Sequence, residues 1–554
     1  MAVLEEFRLA ISSGRNVVSL QCQLPERLKI IESIAKESKL KCYLWNLGQG
    51  RFFSIGSHSE LKYQAISPLD AITQLTTHEG DGCFILEDLH SFLHNTASDI
   101  NSLVAATQMR SLLINLAFTW ADTRKVAVLL GTQETELPPI LGSIIPEFWN
   151  PLPHYEQNVA LLEEILPSLG LSADIPQLAL SAGGLSTEEI RSGLRLVKAQ
   201  QEVGARGQGS EVREDESALN PPASNSSSLA PNPRSLNPDL VQGLLNFKIQ
   251  RLKAFNLSFT PRPNVGNFGG MDRIRTGIEG IKKDFSHQAR QHGISLPKGW
   301  LLVGPPGTGK TFVSKFCASI LEFPMISVDT GAIASSGASY LRRLIDRIEA
   351  SAPAVVYFDE LDKLFPEAGQ SADVQQRQVL GLLLTWLQDK VSQTFVIATL
   401  NRLDSLPPEL TRLGRFDEIF YVGFPQNGER KDILHLHLAR FDERYKNGNS
   451  PMSEKEWRVI INQTVNLTGA ELSTMVEKAA RTLFHQGKGI QINLKELSAT
   501  RQQITPLFMR DTDRILRIEN IAKGVATPCS SPDDSIFAPP VTTLWGKKTS
   551  DEMR

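Results

Sequence analysis

The second half of the chain alternates short apolar runs with segments whose apolar residues recur at helical spacing. Apolar runs over 300–304, 323–329, 354–358, 395–399 and 419–422 predict five buried strands. Between them, 310–321, 340–350 and 375–387 predict helices; Leu341, Leu344, Ile345 and Ile348 fall on one side of the second. Strands buried on both faces and separated by helices predict an α/β fold, a doubly wound parallel sheet. After Pro425 the spacing turns helical throughout, over 431–440, 454–465, 469–485 and 511–522, which predicts a smaller helical lid.

Composition changes this picture at two places. From 203 to 238 the chain is rich in Ser, Asn, Pro, Gly and acid, too polar to order itself by burial, which predicts a disordered linker. The stretch over 527–554 reads as a flexible tail. The predicted organisation is therefore an N-terminal module over 1–202, the linker, a large α/β subdomain over 239–425, a helical lid over 426–526 and the tail.

Charge and cysteines exclude several classes. The formal net charge is −3 and no dense Lys/Arg block stands out, so nucleic acid is disfavoured as a partner. Five cysteines, scattered and without a C-x-x-C pair, argue against a disulfide framework or a zinc site. The N-terminus carries acid early and lacks the apolar stretch of a signal peptide. Nowhere does an apolar run reach the roughly 18 residues of a membrane span, so no membrane partner is expected.

The chemistry starts at Gly304-Pro305-Pro306-Gly307-Thr308-Gly309-Lys310-Thr311, followed by Phe312. This is the phosphate-loop pattern G-x-x-x-x-G-K-[ST]. Its glycines let backbone N–H groups turn inward around phosphate oxygens, Lys310 reaches the β and γ phosphates, and Thr311 offers a hydroxyl to Mg²⁺. The loop leaves a predicted strand and opens a predicted helix, as that chemistry requires. The bound species expected is ATP with Mg²⁺. Next, the apolar strand 354–358 ends in Asp359 and Glu360. Two acids there are an ordinary helix start in isolation. Downstream of a phosphate loop, Asp359 is expected to orient the metal and Glu360 to polarise the attacking water. The strand 395–399 leads to Asn401, whose amide can hold that water or sense the γ phosphate.

These pieces, with Asn267-Phe268-Gly269-Gly270, Leu406-Pro407-Pro408-Glu409-Leu410, Gly414-Arg415-Phe416-Asp417 and Leu467-Thr468-Gly469-Ala470-Glu471, resemble the AAA subgroup of AAA+ ATPases. The resemblance implies a homo-oligomeric ring, a hexamer, acting on a protein client. It places Arg412 and Arg415 on the paired arginine fingers that reach a neighbour's γ phosphate. Phe268, Gly269, Gly469 and Ala470 fall where the family holds adenine. One departure matters: family members that thread polypeptides carry an aromatic-apolar-Gly loop, and the aligned place here holds Ile333-Ala334-Ser335, with Tyr340 expected on the following helix.

The N-terminal module reads as a degenerate copy. The segment 126–141 parallels 395–410, 180–190 echoes 464–474, and Cys83-Phe84-Ile85-Leu86-Glu87-Asp88 stands where the acid-ended strand belongs. Its first strand, from Val17, runs into Gln23-Leu24-Pro25-Glu26-Arg27, with no Gly-rich loop and no lysine. A different strand order in the two halves would end the idea. A module without a phosphate loop ahead of one AAA module is similar to the AAA-domain proteins of plastid and cyanobacterial genomes. That implies a cytoplasmic protein, or one of the plastid stroma if plastid-encoded. Three functions are expected in descending order: a ring ATPase remodelling a protein partner, a nucleotide-gated switch or scaffold, and a nucleic-acid loader. His435 and His437 read as ordinary helix residues rather than metal ligands.

Overall fold

The computed structural model describes residues 2–56, 60–94, 99–132, 137–207, 238–261, 263, 265, 270–365, 373–402, 407–411, 414–487 and 489–538. Phe268, Gly269 and Arg412 lie outside the described residues, as does most of the predicted linker. The chain forms two compact units, Met1–Lys248 and Ile249–Arg554.

The first unit holds strands β1 (Val17–Gln21), β2 (Cys42–Trp45), β3 (Arg51–Ser54), β4 (Glu60–Gln64), β5 (Gly82–Glu87), β6 (Lys125–Gly131) and β7 (Glu147–Trp149). Their order across the sheet is β4-β3-β2-β5-β6-β1-β7. The second unit holds β8 (Leu257–Thr260), β9 (Gly299–Val303), β10 (Met325–Val328), β11 (Ala354–Phe358), β12 (Thr394–Leu400), β13 (Glu418–Tyr421) and β14 (Thr527–Pro528), in the order β14-β13-β9-β12-β11-β10-β8. Numbered by first appearance, the core of each sheet reads 5-1-4-3-2, all parallel. The two halves therefore share one topology, the arrangement expected of a degenerate copy.

The five strands of the second unit predicted from apolar runs are present within a residue or two. The two extra edge strands were not predicted. β8 is short and alternates in burial, and β14 has two residues, so neither shows a continuous apolar run. Trp300 anchors β9 edge-on against Phe395 and Phe420, with centroids 5.4 and 4.9 Å away. Each such contact adds about 0.5–1.5 kcal/mol beyond burial.

Three predicted boundaries need correction. The helix Thr187–Gly207 runs into the predicted linker. The helix Pro238–Lys253, assigned by sequence to the ATPase subdomain, buries Leu240 and Leu244 in the small helical cluster of the first unit. The predicted flexible tail is docked through Phe537. β14 pairs with β13, Ser530 donates to Glu429 at 2.6 Å, and Asn427 donates to the Phe537 carbonyl at 2.7 Å. Side-chain and backbone hydrogen bonds, invisible to a hydropathy pattern, hold this polar stretch.

The aligned client-gripping segment is helical. The helix Thr330–Ala350 bends at Gly337 (φ 81°, ψ −165°), and Ile333 is fully buried. Tyr340 sits on the helix as predicted and donates to the Phe255 carbonyl at 2.8 Å. Among the described residues no helix is long and apolar enough to cross a membrane.

Candidate functional site

The C-terminal ends of β9, β11 and β12 converge with the start of the helix Lys310–Leu321 and the lid helix Gly469–His485 around a cavity of about 540 Å³. Ligands of open α/β sheets bind at this edge. The loop can form only with glycine at its root: a Cβ on Gly304 would lie 2.1 Å from the Val422 carbonyl oxygen. Gly309, at φ 108°, turns the chain into the helix, whose N-terminus faces the cavity.

Lys310 is buried, and its ammonium donates to the Gly304 and Pro305 carbonyls at 2.7 and 2.8 Å. Burial pushes its pKa down to about 8, against the pull of Asp359, Asp362 and Glu360. It is still a cation at neutral pH, placed where an anion would meet it. Thr311 and Asp359 are joined by Tyr357, whose hydroxyl lies 2.9 Å from Thr311 Oγ1 and 2.8 Å from Asp359 Oδ1. Burial pushes the Tyr357 phenol pKa up, so it stays protonated.

Glu360 sits in the left-handed region at φ 49°. Its N–H donates to Thr399 Oγ1 at 2.9 Å, and Asn401 Nδ2 donates to its Oε1 at 3.1 Å. Lys363 pairs with the other carboxylate oxygen. Asn401 Oδ1 is buried with no hydrogen-bond partner among the described residues. Asn401 is itself fixed through its N–H to Asp362, which also takes Arg402 at 3.1 Å.

The lid closes the other wall. The capping box of Thr468 and Glu471 starts the helix Gly469–His485, and the Ala470 N–H donates to the Gly307 carbonyl at 3.2 Å. The structure thus gathers Pro306, Gly307, Thr308, Gly309, Lys310, Thr311, Phe312, Asp359, Glu360, Asn401, Gly469 and Ala470 around one cavity. Pro305 stands outside that lining and contributes its carbonyl to Lys310. Arg415 is apart from the cavity lining and donates to the Glu409 carbonyl of its own chain.

Sequence reasoning missed Met271, Ile433, Leu436, His437 and Ser473, which complete the lining. The sequence reads His437 as an ordinary helix residue. Its Nδ1 lies 3.3 Å from Ser473 Oγ, on a helix whose inward face the histidine spacing does not reveal. Tyr357 was read only as an apolar strand residue. Among the described residues no cluster of metal-ligating side chains of three or more occurs.

The equivalent place in the first unit is built differently around its own cavity, lined by Leu24, Arg27, Asn46, Glu87, Asp88 and Thr132. Strand register puts Arg27 at the start of a helix, as Lys310 is, and Glu87 and Asp88 at the end of β5, as Asp359 and Glu360 are. Asp88 even repeats the left-handed turn, at φ 53°. Here, however, Arg27 forms a two-pronged pair with Glu87, one contact at 2.7 Å. A short helical turn, Leu24–Glu26, replaces the glycine loop, and Glu26 accepts from the Glu188 N–H at 2.9 Å. An Arg27→Ala chain is expected to lose about 3 kcal/mol of stability, because Glu87 is left buried with its charge unpaired and only the Asn46 amide bonded to it. Urea unfolding reads this as an earlier first transition; an unmoved curve shows the pair to be dispensable.

Comparison with known proteins agrees with this division. Residues 300–424 match the ATPase family associated with various cellular activities (AAA). Residues 3–146 match the SpoVK-like AAA ATPase, N-terminal domain. The chain is 25% identical to the uncharacterized AAA domain-containing protein ycf46 of Guillardia theta, over 95% of this chain and 96% of that protein. It is 25% identical to the protein of the same name from Gracilaria tenuistipitata var. liui, over 94% of this chain and 98% of that one. The ATP-dependent zinc metalloprotease FtsH of Ureaplasma parvum is 32% identical over 39% of this chain but only 30% of the protease, so the likeness is to one domain of it. Phosphate loop, acid-ended strand, strand order and these matches agree: the chain carries an AAA ATPase domain over residues 300–424 behind a SpoVK-like N-terminal domain over 3–146.

Proposed function

We propose that the second unit binds ATP with Mg²⁺ and hydrolyses it, within a homo-oligomeric ring that remodels a protein partner. The observation that carries this reading is the gathering of the phosphate loop, Asp359, Glu360 and Asn401 on one cavity beneath the lid. The backbone of 304–310 and the Lys310 ammonium bind the phosphates. Met271, Ile433, His437, Gly469 and Ala470 receive the base. Glu360 is the general base for the attacking water, and the free acceptor of Asn401 orients it.

The donor set suits a hard divalent cation: a hydroxyl from Thr311 and a carboxylate from Asp359, with no nitrogen or sulfur ligand. Asp359 commits Oδ1 to Tyr357 and Thr399, and among the described residues its Oδ2 takes no hydrogen bond. When bound, Mg²⁺ neutralises charge on the transferred phosphoryl group.

Arg412 and Arg415 act in a neighbouring subunit's site, which makes the reaction dependent on assembly. Chains carrying Arg415→Ala or Lys310→Ala are each expected to be inactive, and an equimolar mixture of the two is expected to recover part of the turnover. In the mixture some interfaces pair an intact loop with intact arginines. Turnover per subunit that is independent of protein concentration, with no recovery on mixing, would sink the trans site.

A second reading, a nucleotide-gated switch that binds and releases a partner without threading it, is favoured by the buried Ile333 and the helical segment around it. Partner-stimulated turnover with loss of partner structure supports remodelling; ATP-dependent binding with the partner intact supports the switch.

A further inference from the structure

The strand β11 places Tyr357 two residues before Asp359, so both side chains leave the sheet on the same face. The ring is buried in the core cluster of the second unit, and the hydroxyl reaches Thr311 and Asp359 of the cavity wall. A phenol has one proton to give. Tyr357 gives it to Asp359 Oδ1 at 2.8 Å, so its oxygen accepts the proton of Thr311 Oγ1 at 2.9 Å. The result is a one-way relay from Thr311 through Tyr357 to Asp359. Thr399 Oγ1 donates to the same Oδ1 at 2.8 Å and so fixes that carboxylate from a second side.

This relay has a chemical consequence. A hydroxyl can serve a cation only through a lone pair, so its proton must be held elsewhere. A carboxylate serves best when one oxygen is anchored and the other is free. Outer hydrogen bonds of this kind orient metal ligands and set their strength. We propose that Tyr357 is a positioning residue for the divalent cation, holding the Thr311 proton away from the cavity and anchoring Asp359 so that both offer lone pairs to one ion. The proposal rests on the reading of the site as one for ATP and Mg²⁺. Nothing in the apolar pattern of the strand demands a hydroxyl: phenylalanine fills the same core space.

The test uses the full chain and its Tyr357→Phe variant. Mn²⁺ is titrated by electron paramagnetic resonance in the presence of a non-hydrolysable ATP analogue. Affinity for a fluorescent ATP analogue is measured separately in EDTA. The expected result is a rise of about 10- to 100-fold in the Mn²⁺ concentration for half-saturation, with the EDTA affinity and the melting midpoint of the free chain unchanged. An unchanged or lower Mn²⁺ half-saturation overturns the proposal. So does an equal loss of affinity in EDTA, which makes Tyr357 a general structural prop. Wild-type chain that binds neither analogue nor Mn²⁺ overturns the ATP reading itself, and this proposal with it. Wild-type binding with an unaltered variant overturns this proposal alone.

Discussion

A Lys310→Ala chain is expected to lose nucleotide binding and, with it, all turnover. The ammonium is buried and clipped to the Gly304 and Pro305 carbonyls, so its removal does two things. It deletes a buried cation placed where phosphates are expected, and it unfastens the root of the loop whose N–H groups would cradle them. Removing one partner of a buried charge pair costs about 2–5 kcal/mol, or about 30-fold to several thousandfold in affinity. Arginine is expected not to rescue. Its planar, wider head does not fit the enclosure that an ammonium fills beneath the loop. The measurement is equilibrium binding of a fluorescent ATP analogue, with the fold checked by circular dichroism. A Lys310→Ala chain that binds and hydrolyses ATP like the wild type would place nucleotide chemistry elsewhere in the protein.

Glu360→Gln should separate binding from chemistry. Glutamine keeps an oxygen to accept from Asn401 and loses only the solvent-exposed pair with Lys363, which water and salt screen. ATP affinity should therefore change little. The amide cannot take a proton from water, so turnover should fall by about 10²- to 10⁴-fold, the contribution of a positioned base. ATP-bound oligomers should accumulate, since the state that hydrolysis ends now persists. Two measurements check this: single-turnover hydrolysis, and the mass of the ATP-bound species by light scattering. Near-normal turnover would mean that another group activates the water. A strictly monomeric ATP-bound form would count against a site shared between subunits.

Legibility in the sequence followed the physics of each feature. The strands 354–358 and 395–399 were plain because a strand covered on both faces must be apolar at every position. The phosphate loop was plain because its glycines and lysine are dictated by contact with an anion at close range, within one short segment. By contrast, the docked stretch 527–538 was read as loose because serines and aspartates held by hydrogen bonds look the same in sequence as serines and aspartates in solvent. Its partners, Asp272, Gln426 and Glu429, are distant along the chain. The lid-side wall of the cavity was equally hidden: whether His437 or His435 faces the cavity depends on how the helix Asn427–Leu438 is rotated against the helix Gly469–His485.

The first unit shows the same division in one place. Sequence alone established that it lacks a glycine loop and a lysine, and hinted at a copy through two weakly similar segments. Only the tertiary structure decided that the strand order repeats, that Arg27 stands at the head of the equivalent helix, and that Glu87 neutralises it. A salt bridge between residues on separate elements leaves no local signature. In the second unit, likewise, local sequence determined the loop, the acid-ended strand and the presence of a helical lid. The path from Thr311 through Tyr357 to Asp359 was decided by the fold, because it joins a helix to a strand across the sheet edge, and no spacing along the chain encodes that distance.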